Sequence, residues 1–185
     1  EELGMTNPHF TSIDQYRDVE SRNYYKILRQ QDKSEEETLD IIAQRSRDDS
    51  RTPMQWDDSE NAGFTTGTPW IGVADNYRQI NAAAEMDDPD SVRSFYKTLV
   101  HLRKTHKVIS EGKIGFLYPD NADLLAYRRY GAEDGEELLV LCNLTEHEVP
   151  CDLPEGWADA DKLLGNYPDR NDALRPYECL ILTKA

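Results

Sequence analysis

Arg47-Asp48-Asp49-Ser50-Arg51-Thr52-Pro53-Met54-Gln55-Trp56-Asp57 packs three acidic side chains, two arginines, a proline and an indole into eleven positions. Pro53 removes a backbone donor and biases Thr52 towards extended geometry, so neither a regular amphipathic helix nor an alternating strand suits the stretch. It reads as a shaped loop. Two arginines and three aspartates beside an indole form a surface suited to a ring with hydroxyls around its edge, the outline of a sugar. A solvated charge cluster or a local ion-pair brace is the plainer alternative.

The flanks on both sides lack a sustained hydrophobic period. Residues 46–87 are rich in Asp, Asn, Gly, Thr and Pro, and an irregular run of that length inside a folded domain points to a functional loop. Upstream, Tyr16, Val19, Tyr24, Ile27 and Leu28 have helical spacing over Asp14 to about Gln31. Ser34 followed by Glu35, Glu36 and Glu37 predicts a capped helix start, with acids at the positive end of the dipole, running to about Gln44. Downstream, Asp88-Pro89-Asp90 opens a helix whose stripe of Val92, Phe95, Tyr96, Leu99 and Leu102 should pack against a sheet.

After Gly112 the texture changes. Lys113–Tyr118, Leu124–Tyr130, Glu137–Leu144, Glu146–Cys151, Lys162–Leu164 and Tyr177–Thr183 read as strands separated by turn residues, a spacing that suggests an antiparallel sandwich. The chain therefore divides near residue 110, into 1–109 with helices and loop and 110–185, all β.

Composition excludes several classes. The 185 residues carry a formal net charge of −15, which repels phosphate backbones and anionic bilayers, so neither nucleic acid nor membrane is an expected partner. Cys142, Cys151 and Cys179 are an odd number without metal spacing, so neither a disulfide framework nor a zinc site is expected, and a cytoplasmic setting follows. Cys142 lies in an apolar run and reads as a small buried hydrophobe. His9, His101, His106 and His147 share no ligand pattern; no metal and no cofactor are expected.

The string Arg51 to Asp57, with Asn61-Ala62-Gly63-Phe64-Thr65, Pro69-Trp70 and Tyr77-Arg78-Gln79-Ile80-Asn81 behind it and Gly4-Met5-Thr6 ahead, resembles the C-terminal part of the α-glucosidase branch of the α-amylase superfamily. That branch contains oligo-1,6-glucosidases, dextran glucosidases and trehalose-6-phosphate hydrolases. The resemblance implies an α+β arrangement: the end of a (β/α)8 TIM barrel followed by a β-sandwich called domain C. Glu1–Met5 would end barrel strand eight, residues 6–87 would be the excursion after it, Asp90–His106 the eighth helix, and the remainder domain C. Such excursions sit at the face where barrel enzymes carry their sites. Without a barrel to pack on, residues 1–87 are expected to be less ordered than 110–185.

Retaining glycosidases need two carboxyl groups roughly 5–5.5 Å apart. In the resembled family both, and a third stabilising Asp, lie upstream of Glu1, so no catalytic residue is assigned to this chain and it is expected to be inactive alone. Adjacent Glu1 and Glu2 would point to opposite faces of a strand. Arg51 is the candidate for substrate contact, since its planar fork can donate to vicinal hydroxyls and the matching arginine of the family touches the sugar. Arg47 is the weaker candidate, more naturally a loop brace. Trp56 and Trp70 are loop pegs or sugar-stacking platforms. Asp14, Tyr16 and Arg17 read as a solvated helix start, with the site's rim as the alternative.

Gly4 to Thr11 and Ser46 to Trp56 look closest to trehalose-6-phosphate hydrolases; in oligo-1,6-glucosidases Gly would stand for Ser46 and Ala for Ser50. Asp49 departs from the family's common Asn. The resemblance therefore implies cleavage of trehalose 6-phosphate to glucose and glucose 6-phosphate, or of α-1,6-linked oligosaccharides. The partners implied are that sugar and an N-terminal barrel of the same polypeptide. A non-catalytic β-sandwich that packs or binds carbohydrate is the alternative class.

Overall fold

The Ser34 signal is read by the backbone as expected: its Oγ accepts the Glu37 N–H while the Glu37 carboxylate accepts the Ser34 N–H, and helix α2 runs over Glu35–Ala43. The computed structural model describes residues 2–184. The helix before it, α1, covers Val19–Gln30 and begins later than its apolar spacing suggested. Asp18 accepts the Ser21 N–H and so sets the start, leaving only a 3-10 turn at Ile13–Gln15 before it.

Residues 46–87 contain no strand, only short 3-10 turns at Arg47–Arg51, Glu60–Gly63 and Asp75–Arg78 and one turn of helix, α3, at Ala82–Glu85. No strand forms at residues 2–5 either; they hold a turn, and the expected end of a barrel strand has no neighbouring strand to bond with. Its first residue, Glu1, lies outside the described residues. Phe10, Tyr16, Leu39, Ile42 and Ile71 build a small apolar cluster, with the Phe10 and Tyr16 rings edge to face at 5.2 Å. This gives residues 1–87 packing of their own.

Helix α4, Val92–Thr105, matches the expected span, and a last turn, α5, follows at Lys107–Ser110. Its apolar stripe is not sealed as expected: Leu102 is buried, whereas Val92, Tyr96 and Leu99 remain exposed. The chain divides into compact units at Glu1–Lys97 and Thr98–Ala185, inside α4 rather than near residue 110. The end of α5 belongs to the second unit. The Arg129 guanidinium donates to the carbonyls of Val108 (3.2 Å), Ile109 (2.6 Å) and Gly112 (2.8 Å), tying that helical end to the sheet.

The second unit contains β1 (Lys113–Leu117), β2 (Leu124–Tyr130), β3 (Glu137–Asn143), β4 (Val149–Pro150), β5 (Asp161–Gly165), β6 (Ala173–Leu174) and β7 (Cys179–Lys184). Five form an antiparallel sheet in the order β1-β2-β3-β7-β5; β4 and β6 pair separately. The two-residue β6 was missed because nothing that short carries a periodic signal. Leu139 and Leu141 of β3 and Leu180 and Leu182 of β7 face one side, where they pack with Leu124, Ala126, Val149, Leu174 and the fully buried Trp157.

Candidate functional site

Ser46 caps the Arg47–Arg51 turn, its Oγ accepting the Asp48 N–H at 3.2 Å. The turn drives the Asp48 side chain fully out of solvent. There its Oδ2 accepts two backbone donors, the N–H of Arg17 at 2.6 Å and of Asp18 at 2.8 Å. Asp18 accepts the N–H and the hydroxyl of Ser21, both at 2.9 Å, and the Ser21 and Ser46 hydroxyls are hydrogen-bonded to each other at 2.9 Å. A closed ring of hydrogen bonds thus joins the start of α1 to the loop, and the one oxygen of Asp48 left without a hydrogen bond, Oδ1, is buried facing Arg51.

Arg51 lies over this ring. Its Nη1 is 3.6 Å from Asp48 Oδ1 and 3.9 Å from Asp18 Oδ1, and its side chain is 43% exposed. Two carboxylates hold one edge of a group that carries five N–H donors. Burial works to raise the Asp18 carboxyl, but the bonds from Ser21 and the charges of Arg47 and Arg51 outweigh it and hold the group below the usual carboxylate range. Arg47 turns away. It pairs with Glu20 at 3.5 Å with both side chains well exposed, a contact that contributes little.

Asp49 is half-buried beside this assembly. Burial first, then the Asp48 carboxylate, push its carboxyl up to about 6, with His9 pulling the other way. Burial, Asp49 and Asp48 together push the Tyr16 phenol up to about 12. Tyr16 is fully buried, so it belongs neither to a solvated helix start nor to a rim. Arg17 does reach across the loop, donating from Nε to the Trp70 carbonyl at 3.1 Å.

The Thr-Pro-Met-Gln-Trp string alternates inward and outward: Pro53 and Gln55 are buried, Trp56 is exposed. Gln55 Nε2 donates to the Ile80 carbonyl. The carbonyls of Gln55 and Trp56 accept the N–H groups of Ala82 (2.9 Å) and Ala83 (3.0 Å), and the Ala62 carbonyl accepts those of Trp56 (2.9 Å) and Asp57 (3.3 Å). That last contact needs Asn61, Ala62 and Gly63 all at positive φ, and a Cβ on Gly63 would lie 2.6 Å from the Asp57 carboxylate. The backbone of Trp56 is therefore pinned while its indole is 52% exposed; the indole of Trp70 is 65% exposed. Neither ring is packed away as a peg within this unit.

An open groove of about 740 Å³ runs along α1, lined by Asp18, Val19, Tyr24, Ile27, Arg45 and Arg47. It borders Arg47, and Arg51 is not part of its wall. Among the described residues no group of three His, Cys, Asp or Glu side chains could hold a metal, and no helix is long and apolar enough to cross a membrane. The contribution of Asp18 was not foreseen. Its signal was present, since Asp18 with Ser21 three residues on is an N-cap pattern; its partnership with Arg51 carries no local signal.

The alpha-amylase catalytic-domain model matches residues 1–112. The chain is 45% identical to the trehalose-6-phosphate hydrolase of Bacillus subtilis (strain 168), over all of this chain and 34% of that protein. It is 41% identical to the oligo-1,6-glucosidase of Bacillus cereus, over 98% of this chain and 34% of that protein. It also superposes on the crystal structure of the Bacillus licheniformis trehalose-6-phosphate hydrolase with a TM-score of 0.90 at 44% identity, covering 98% of this chain and 34% of that one. This chain thus spans about a third of the length of the relatives it matches, with mixed helices and antiparallel sheet in common with them, and it belongs to the alpha-amylase family.

Proposed function

We infer that this chain supplies the C-terminal part of a glycoside hydrolase that cleaves α-glucosidic bonds, with trehalose 6-phosphate as substrate. In this reading residues 1–109 complete a TIM barrel, 110–185 form its β-sandwich domain C, and the enzyme works in the cytoplasm. The acid and the nucleophile of a retaining mechanism belong to the part of the relatives that this chain does not cover. The relation to two enzymes whose names state that activity, at 45% and 44% identity, supports the substrate. Ser46 and Ser50 support it too.

The observation that carries the reading is Arg51, gripped along one edge by two buried carboxylates with its remaining surface open to solvent. Held in this way, the guanidinium loses little further freedom when its other N–H groups donate to vicinal sugar hydroxyls. Trp56 and Trp70, both exposed, offer apolar faces on which a sugar ring can stack. Arg47 serves as the outer brace to Glu20 rather than as a contact.

The complete enzyme, assayed on trehalose 6-phosphate and on isomaltose side by side, should strongly prefer the phosphorylated sugar. Equal or better turnover of the α-1,6 bond would instead favour the oligo-1,6-glucosidase reading, which the Bacillus cereus relative supports. Arg51→Lys should lower kcat/KM about tenfold or more, the effect of losing a bidentate contact worth about 1.4 kcal/mol. An unchanged value removes Arg51 from the site. The isolated chain should hydrolyse neither sugar; turnover by it would defeat the assignment of the acid and nucleophile elsewhere.

A further inference from the structure

Cys142 of β3 and Cys179 of β7 stand directly opposite each other in the antiparallel register, and their sulfurs are 3.4 Å apart and share a hydrogen bond. Both are free thiols, half-buried. The next pair along, Asn143 and Glu178, is hydrogen-bonded between strands, the Asn143 N–H donating to the Glu178 carbonyl at 2.9 Å. Alternation therefore makes Cys142 and Cys179 a non-hydrogen-bonded pair. The backbone of Cys179 agrees, because both its groups turn to the other side. Its N–H donates to Asn166 Oδ1 at 2.8 Å and its carbonyl accepts the Asn166 N–H at 3.3 Å. Non-hydrogen-bonded pairs bring opposite Cα atoms to about 4.5 Å, inside the span of about 4.4–6.8 Å that a disulfide bridges.

We propose that Cys142 and Cys179 form a reversible oxidation site that closes to a cross-strand disulfide when a peroxide reaches the sheet. The Cys142 thiolate attacks one peroxide oxygen, the O–O bond breaks and water leaves, giving a sulfenic acid. Cys179 then attacks that sulfur, forming the S–S bond and releasing a second water. Two thiols and one hydrogen peroxide yield one disulfide and two waters, the two electrons passing from sulfur to oxygen.

The hydrogen bond between the two sulfurs lowers the Cys142 thiol against the opposing effect of burial and, with burial, raises Cys179. The thiolate is the reactive form, and Cys142 is assigned the first attack; the same bridge results whichever sulfur is oxidised first. Cys151 is a built-in control. It packs on the core cluster of Leu139, Leu141, Leu180 and Leu182, whereas alternation along β3 and β7 places Cys142 and Cys179 on the other face of the sheet. Burial and Asp152 also raise its thiol.

The test is a thiol count on the 185-residue chain, unfolded after brief treatment of the native protein with hydrogen peroxide. Free thiols should fall from three to one, peptide mapping should find Cys142 joined to Cys179, and a dithiol reductant should restore all three. The Cys151→Ser variant should fall from two to none. Cys142→Ser should keep both of its thiols under the same treatment. Three thiols remaining in the native protein, a bridge that includes Cys151 or joins two chains, or over-oxidation of Cys142 without a bridge would each overturn the proposal.

Discussion

Residues 1–97 and 98–185 exclude water by opposite means. Of the polar or charged side chains buried in the described residues, all but Asn143 and Glu178 lie in the first unit. The second unit instead gathers nine buried apolar residues into one cluster, against five in the apolar cluster of the first. The contrast follows from backbone accounting. Strands satisfy their N–H and C=O groups in ladders, so their side chains are free to be apolar. An irregular loop has no ladder, and buried carboxylates and amides such as those of Asp48 and Gln55 must take over that task. Directional bonds to a few atoms hold Arg51 in place; volume and area hold the sheet.

The largest effect should come from the apolar unit. Trp157→Ala empties the centre of the cluster and should destabilise the second unit by about 3–5 kcal/mol, measured by denaturant unfolding followed by circular dichroism. A loss below 1 kcal/mol would mean that the unit is not held mainly by its contiguous core. Next comes Asp48→Ala, which strands the N–H groups of Arg17 and Asp18 and removes one of the two carboxylates beside Arg51. We expect a cost of about 2–3 kcal/mol. Asp48→Asn keeps one acceptor oxygen and should recover part of it. If the amide and the alanine cost the same, charge and not backbone satisfaction holds the loop.

The smallest effect is a pH dependence at Asp49. Its folded pKa of about 6 lies above the ordinary carboxylate value, so the folded state favours the protonated form. Below about pH 4 both states are protonated; from there to pH 6 the folded state keeps a proton that the unfolded chain has lost. Stability from this group is therefore greatest in acid and falls as pH rises through 6. Asp49→Asn should remove that decline, leaving the variant more stable than its parent at pH 7 and close to it at pH 4. Unfolding midpoints at the two pH values decide the matter, and an identical gap at both would exclude Asp49 as the source.

Much of the element plan was legible. The capping box at Ser34, the stripe of α4 and the alternation of β2 and β3 are short-range signals, each set by residues within a turn or two of one another. The site was legible in part. Arg51 stood out by its string, but the peg reading of Trp56 and Trp70 presumed a buried neighbour that this unit does not provide. Tyr16 was misplaced because a tyrosine between Gln15 and Arg17 has no local reason to be buried. Phe10 and the fold of the loop supply that reason. The tie between α5 and the sheet was likewise missed, since it depends on where Arg129, far along the chain, delivers its hydrogen bonds.

By itself the amino-acid order determined the capped start of α2, most of the runs that become strands, that residues 46–87 form no strand, and to which family the chain is similar. Only tertiary structure decided that Asp18 and Asp48 meet under Arg51, that Asp49 is half-buried beside Asp48, and that two cysteines 37 residues apart become neighbours. Caps and periodicity act over one or two turns, so they are written locally. Pairings across tens of residues are chosen by which whole arrangement buries the most apolar surface while leaving the fewest polar groups unpaired, and no single segment holds that information.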